Sequence, residues 1–272
     1  MTLPLATPLA ELPLLFLDLE TTGLDLAAGH RVCEVGLLRE RAGAEEGRLD
    51  CLVAPGRPLD PGAAAVNGLR DEDLAGAPPF AAVAGAVEAM ADGAALVGHN
   101  LAFDLAFLGA ELRAAGRRPP AGPFLDTLPL ARRLLRRPSY SLGSLAAELG
   151  LAPPAHRAMA DVLALRGLFH HLRGLMEGLG VVTLGDALRL ERGVLPGAPE
   201  PDAPEAIARA LAEGRPLRIV YRSRSSPEPT TRTVRPIYLT RERGGVYLRA
   251  FCELRQNVRA FAVAKIELAE LG

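Results

Sequence analysis

An α/β domain on a mixed sheet, followed by a small β-rich domain, is the fold this sequence predicts. Three observations lead there. Short apolar strand-like runs open the chain and then give way to strands alternating with helical periods, the order of a mixed sheet flanked by helices. A stretch carrying four prolines, at 196, 199, 201 and 204, interrupts every period around it and reads as a linker. Beyond it, strand-like runs return. At 272 residues the chain has room for one large domain or two ordinary ones.

The elements follow in order. Leu14 to Leu19 is a buried strand ending at Thr21-Thr22-Gly23, and Val32 to Leu38 and Leu49 to Val53 complete a meander. Phe80 to Met90 has helical spacing, Ala95 to Gly98 is a strand, and Leu101 to Ala115 is helical again. Phe124 to Asp126 starts a short strand. Helical spacing then covers Arg132 to Arg137, Leu142 to Leu149 and Ala158 to Met176. After the prolines come a helix, Glu205 to Glu213, and strand-like runs at Leu217 to Tyr221, Thr231 to Leu239, Val246 to Phe251 and Arg259 to Ile266. Gly244-Gly245 marks a hairpin turn. The expected boundaries are 1–180 for the first domain, 181–204 for the linker and 205–272 for the second domain.

Composition narrows the function classes. All but one of the 31 basic residues are Arg, and Trp is absent. The net charge of −1 conceals an asymmetry: from Glu205 onward there are 13 basic and 7 acidic residues, so the basic charge gathers at the C-terminal end. Cys33, Cys51 and Cys252 have no CxxC pairing and read as small buried apolar residues in a reducing compartment. No signal peptide is expected at the N-terminus, and no stretch approaches the ~20 apolar residues of a membrane helix. The expectation is a cytoplasmic protein with no membrane partner.

Asp18 and Glu20 are two apart on a strand, so both project from one face of the sheet. Two carboxylates on an otherwise apolar strand repel and are desolvated unless a cation lies between them. Taken alone, the pair reads equally well as charges meeting water at the sheet edge. Asp104 opens a helix and lies in line with Phe107 and Leu108 on its buried side; a charge complementing the helix dipole is the plainer alternative. Asp161 shares a stripe with Leu165, Leu168 and Leu172, while His156, after Pro153-Pro154, falls in the loop or first turn. Alone, His156 is an ordinary loop residue. Together, four carboxylates and an imidazole make a site for two divalent cations, Mg²⁺ or Mn²⁺, with a base that accepts a proton near neutral pH.

Three motifs in this order resemble the DEDD exonucleases of the histidine variety, relatives of the proofreading epsilon subunit and ribonuclease T: Asp18-Leu19-Glu20-Thr21-Thr22-Gly23-Leu24, Val97 through Asp104, and His156 through Asp161. Asp126-Thr127-Leu128 and Tyr140 to Leu145 also look like that family. The resemblance implies a ribonuclease H-like fold and release of nucleoside 5′-monophosphates from the 3′ end of single-stranded DNA, with RNA left open. It implies that Asp18, Glu20, Asp104 and Asp161 hold the metals and that His156 activates water. It further implies that Thr21, Thr22, Leu24, His99, Asn100 and Phe103 contact the terminal nucleotide. Asn67 stands where relatives of this kind carry His. Arg132, Arg133, Arg136 and Arg137 form a basic cluster that reads either as a phosphate track or as a solvated helix face.

The C-terminal part resembles a WYL domain, a small Sm-like or SH3-like β-barrel, through Leu217 to Tyr221, Arg235 to Leu239, Val246 to Cys252 and Val258 to Phe261, with Val246 replacing the name-giving Trp. The resemblance makes Arg249, Arg255 and Arg259 candidates for nucleic-acid binding, and Tyr221 and Tyr247 either core or stacking residues. No polymerase-binding or clamp-binding segment is recognised. The second reading of the whole chain is a nucleic-acid- or nucleotide-sensing regulator with weak or vestigial nuclease activity.

Overall fold

The computed structural model describes residues 3–223, 228–242 and 245–272. The chain divides into two compact units, Met1–Glu191 and Arg192–Gly272. In the first, β1 (Leu14–Thr21), β2 (Val32–Arg41) and β3 (Ala44–Leu52) form an antiparallel meander. Helices α1 (Pro61–Asn67), α2 (Asp71–Leu74) and α3 (Phe80–Ala91) lead to β4 (Ala95–Gly98), α4 (Ala102–Ala114) and β5 (Phe124–Asp126). Then come α5 (Thr127–Leu134), α6 (Leu142–Leu149), α7 (Ala158–Gly178) and α8 (Leu184–Glu191). Strand β4 runs parallel to β1, and β5 parallel to β4, which gives the mixed order β3-β2-β1-β4-β5.

Side chains alternate across β1 and build a core on each face. Leu14 and Phe16 face α7, whose Leu165, Leu168, Phe169 and Leu172 supply the facing apolar stripe. Leu15, Leu17 and Leu19 face α3 and α4, through Val87, Phe107 and Leu108. Asp18 and Glu20 continue the α7 side at the end of the strand, where α7 begins. Among the described residues no helix is long and apolar enough to cross a membrane.

The structure departs from expectation at several boundaries. The helix expected at Arg132 to Arg137 is Thr127–Leu134, because Asp126 caps its start by accepting the Leu128 N–H at 2.9 Å. The stretch 181–204, expected to be a linker, begins with α8, whose Leu184, Ala187 and Leu190 are buried in the first unit's core. Helices α1 and α2 were not anticipated.

In the second unit α9 (Glu205–Glu213) is followed by β6 (Leu217–Tyr221), β7 (Thr230–Glu242), β8 (Gly245–Cys252), β9 (Asn257–Ala262) and β10 (Ile266–Leu271). Every ladder in the order β10-β6-β7-β8-β9 is antiparallel. Ile207, Leu217, Ile219, Val234, Leu248 and Phe261 are buried within it. The run expected as one strand, Arg259 to Ile266, is broken by a 3₁₀ turn at Val263–Lys265, which ends β9 and starts β10. Of the expected hairpin turn, Gly244 lies outside the described residues; Gly245 begins β8 opposite Glu242.

Where β2 meets α7 the approach is as close as backbone allows. Gly36 pairs with Asp18 across the strands, and a Cβ on Gly36 would lie 2.5 Å from the Ala158 carbonyl carbon. Gly36→Ala is therefore expected to lower unfolding stability by about 1–3 kcal/mol, measured by chemical denaturation. Gly47→Ala, whose added Cβ meets nothing within 4 Å, is the control. An unchanged midpoint for Gly36→Ala would contradict this packing.

Candidate active site

Three elements bring the acidic residues together. Strand β1 supplies Asp18 and Glu20. Ladder pairing of β1 with β4 covers Leu14 to Phe16 only, so the Leu19 N–H is left for a side chain, and Asp104 from the first turn of α4 accepts it at 3.1 Å. Helix α7 supplies Asp161. One Asp161 oxygen accepts the backbone N–H groups of Ala155 and His156 at 2.9 and 3.1 Å. His156 adopts a left-handed backbone, φ 51°, which is costly without glycine; the two bonds to Asp161 hold it there. Ligand atoms of Glu20, His156 and Asp161 lie within 4.8 Å of one another.

Burial and mutual repulsion set the protonation of this cluster. Burial, and then the charges of Asp104, Asp161, Glu20 and Glu34, push the Asp18 carboxyl well above its usual range. Glu20 is raised to about 8 by burial and by Asp161, Glu34 and Asp104. Asp104 is raised to about 7 by burial, against the pull of the Leu19 N–H. Burial raises Asp161 as well, while the Ala155 N–H lowers it. Oxygen donors that repel one another when ionised suit a hard divalent cation. Asp18, Glu20, Asp104 and Asp161 fit that role by donor chemistry, and His156 is the exposed imidazole beside them.

Residues outside the motifs hold this arrangement. Glu34 pairs with Glu20 across the strands and is only 2% exposed. It accepts from the Arg157 guanidinium at 2.8 to 3.1 Å and from the Ala158 N–H at 3.1 Å. This clamp fixes the start of α7 on the sheet, and with it His156 and Asp161. Asp126 accepts the N–H groups of Asn100 and Leu101 at 2.9 and 3.2 Å, fixing the turn into α4, where Asn100 is left-handed at φ 66°. Asn67 is 3% exposed; its Oδ1 accepts the Leu69 N–H at 3.0 Å and its Nδ2 has no partner of good geometry. The amide lies beside Glu20 and draws its pKa downward. A polar side chain opposite a motif residue was the signal available for Glu34; Asn67 and Asp126 were marked by the family resemblance, which did not indicate these contacts.

A cavity of about 530 Å³ opens beside Glu20, lined among others by Thr21, Gly23, Leu24, His30, Val66 and Asn67. Of the residues expected to meet a terminal nucleotide, Thr21 and Leu24 line it. Thr21 turns its hydroxyl to the Gly23 carbonyl at 2.8 Å. Thr22, His99, Asn100 and Phe103 are not among its lining residues. Thr22 is buried against His30 at 3.0 Å. Both His99 ring nitrogens are taken, by Thr127 at 2.9 Å and by the Tyr140 carbonyl at 2.8 Å, and burial lowers its pKa. Phe103 packs on Phe107, with ring centroids 4.9 Å apart. Arg132 lies 6.0 Å from the Tyr140 ring centroid, and Arg137 pairs with Glu148 at 2.6 Å. In the second unit Arg249 is paired with Glu242 at 2.9 Å, whereas Arg255 and Arg259 are exposed. Tyr221 packs edge-on against Phe261, as a core residue does.

The chain is similar to known proteins. The RNase T model, which describes exonucleases, matches residues 15–169, and the WYL domain model matches residues 202–271. A DNA polymerase III subunit epsilon-like protein of Rhodobacter capsulatus is 33% identical over 190 residues, which are 67% of this chain and 27% of that protein. A DNA polymerase III subunit epsilon of Treponema pallidum is 32% identical over 165 residues, 57% of this chain and 76% of that one. The solved structure of exonuclease X in complex with 5′ overhanging duplex DNA is similar at a TM-score of 0.50 and 26% identity, covering 64% of this chain and 97% of that one. From the paired carboxylates of β1 to the His156 loop, the first unit thus places the chain in the RNase T exonuclease family, with a WYL domain following it.

Proposed function

We propose that the chain is a 3′–5′ exonuclease that removes nucleoside 5′-monophosphates one at a time from single-stranded nucleic acid. The convergence of Glu20, His156 and Asp161 ligand atoms within 4.8 Å, beside a cavity open to solvent, carries this reading. Asp18, Glu20, Asp104 and Asp161 would hold two divalent cations, Mg²⁺ or Mn²⁺. Such cations, when bound, supply the positive charge that phosphoryl transfer needs at its attacking and leaving oxygens. His156 accepts the proton of the attacking water as the new phosphorus–oxygen bond forms. The 3′ oxygen of the preceding nucleotide leaves and is protonated by solvent. The cavity takes the terminal nucleotide, Thr21 and Leu24 being the motif residues that line it.

For the second unit we propose the small Sm-like barrel that the WYL resemblance implies. The register shift at Pro236/Tyr238, which bends the long β7, supports it. Its role would be to hold the strand. Arg255 and Arg259 are exposed and have no ion pair among the described residues, so they are available to phosphates. In Arg249 the guanidinium would first have to leave Glu242.

Asp18→Ala and Asp161→Ala are each expected to abolish cation-dependent degradation of a 3′-ended strand while the fold persists; full activity in either would sink the assignment. His156→Ala should lower kcat by about 10²–10⁴, with cation affinity largely kept. Glu20 and Asp104 bind protons more tightly folded than unfolded, which costs the cation-free chain stability as pH rises. The cost is absent well below pH 4, where both states are protonated, grows from the ordinary values of 3.8 and 4.5 up to the raised values of about 7 and 8, and then levels off. Thermal unfolding in EDTA should therefore fall between pH 5 and 8, less so in Glu20→Gln, and Mn²⁺ should remove the difference. A flat profile in EDTA would argue against the repulsion. Arg255→Ala with Arg259→Ala should reduce the slope of log affinity against log salt for a long single strand by about 1.4; an unchanged slope would remove these arginines from the strand path.

A further inference from the structure

The cavity beside Glu20 has two walls, and they come from separate parts of the chain. One is the turn after β1, with Thr21, Gly23 and Leu24; the other is α1, from Asp60 to Asn67. His30 ties them together. The Thr22 hydroxyl lies 3.0 Å from His30 Nδ1, and His30 Nε2 lies 3.3 Å from an Asp60 carboxylate oxygen. A backbone bond, Asp60 N–H to the Thr22 carbonyl at 2.9 Å, runs alongside.

The Thr22 hydroxyl accepts the Arg31 N–H at 3.1 Å and keeps its own proton to offer. His30 Nδ1 accepts that proton in the tautomer whose Nε2–H faces the Asp60 carboxylate, 3.3 Å away. Asp60 occupies the N-cap of α1 but makes no capping bond with its side chain. An aspartate at that position ordinarily satisfies the helix's first N–H groups; here its carboxylate stands between His30 Nε2 at 3.3 Å and the Arg57 guanidinium at 4.0 Å. The ring is held from its other side as well, because it fills the space a Cβ on Gly23 would need. Arg31, the next residue, is anchored to buried Glu111 at 2.6 and 2.7 Å.

The lips of the cavity explain why the spacing of its walls matters. Leu24 on one wall is 84% exposed and Val66 on the other is 56% exposed. Two apolar side chains left in water on opposite lips offer a flat, sequence-indifferent sandwich for a nucleobase. We infer that the Thr22–His30–Asp60 strap sets the separation of these lips, making His30 and Asp60 positioning residues for the terminal nucleotide. The inference rests on the exonuclease reading above. None of the strap's polar contacts is with a carboxylate of the acidic cluster, and its contribution is to pre-order the cleft before the strand arrives.

The test compares Asp60→Ala, His30→Leu and His30→Gln with the parent chain. Asp60→Ala cuts the strap from an exposed position. His30→Leu fills the ring's volume without either bond. His30→Gln keeps an acceptor for Thr22 and a donor for Asp60. Asp60→Ala and His30→Leu should raise KM for a single-stranded oligonucleotide roughly tenfold with kcat within about threefold, and should weaken binding of a nucleoside 5′-monophosphate by the same factor. His30→Gln should lie close to the parent in both. Unchanged KM and monophosphate affinity in Asp60→Ala would overturn the inference, as would a loss confined to kcat. Should His30→Leu fail to fold, Asp60→Ala carries the comparison. A parent chain that degrades no strand would refute the exonuclease reading, while monophosphate binding would still report on the strap.

Discussion

Like charge withheld from water is the constraint around which the first unit is organised. Asp18, Glu20, Asp104, Asp161 and Glu34 crowd one end of the sheet, and each would be costly there without a partner. Four of them receive one from the fold: the Leu19 N–H for Asp104, two loop N–H groups for Asp161, the Asn67 amide near Glu20, and Arg157 for Glu34. Asp18 receives the least. It stands opposite Gly36, where α7 presses onto the strand, and burial and its neighbours' charges push its carboxyl well above the usual range. The protein has thus supplied neutral dipoles and one guanidinium to a cluster whose carboxylates still repel one another.

Much of this was legible in the sequence because it follows from short-range periodicity. Two-residue spacing put Asp18 and Glu20 on one face, and helical stripes through Phe107–Leu108 and Leu165–Leu168 pointed Asp104 and Asp161 inward. The residues that hold the site were not legible, because their partners are remote in the chain. Arg157 reaches Glu34 across 123 positions, and His30 joins residues 22 and 60. Helix α1 was signalled by Asp60-Pro61 at its start and Gly68 at its end, but it has no apolar stripe to reveal it, since Asn67 is its one buried residue. Helix α8 was hidden by its closeness to the proline-rich stretch. For His99, Thr22 and Phe103 the motif drew attention to the residues but gave no sign of their contacts within the protein, with Thr127 and Tyr140, with His30 and with Phe107.

The second unit separates charge from core in a simple way. Its apolar residues alternate inward along an antiparallel sheet, and many of its arginines are neutralised by nearby glutamates, as Arg218 is by Glu270, Arg222 by Glu267 and Arg235 by Glu253. Net basic charge alone therefore overstates what is available to a polyanion. Exposed residues near the β8–β9 connection, Arg255 and Arg259, are the better measure.

The bonding of Asp161 has a consequence for how the site would respond to change. A single oxygen of this carboxylate accepts both N–H groups that keep His156 in its left-handed conformation. One side chain therefore pegs the loop while standing beside Glu20 and His156 in the acidic cluster. Substitutions at 156 and 161 would not behave as independent losses, because removing the peg also releases the imidazole. Asp161 and the His156 loop are in effect a single mechanical part.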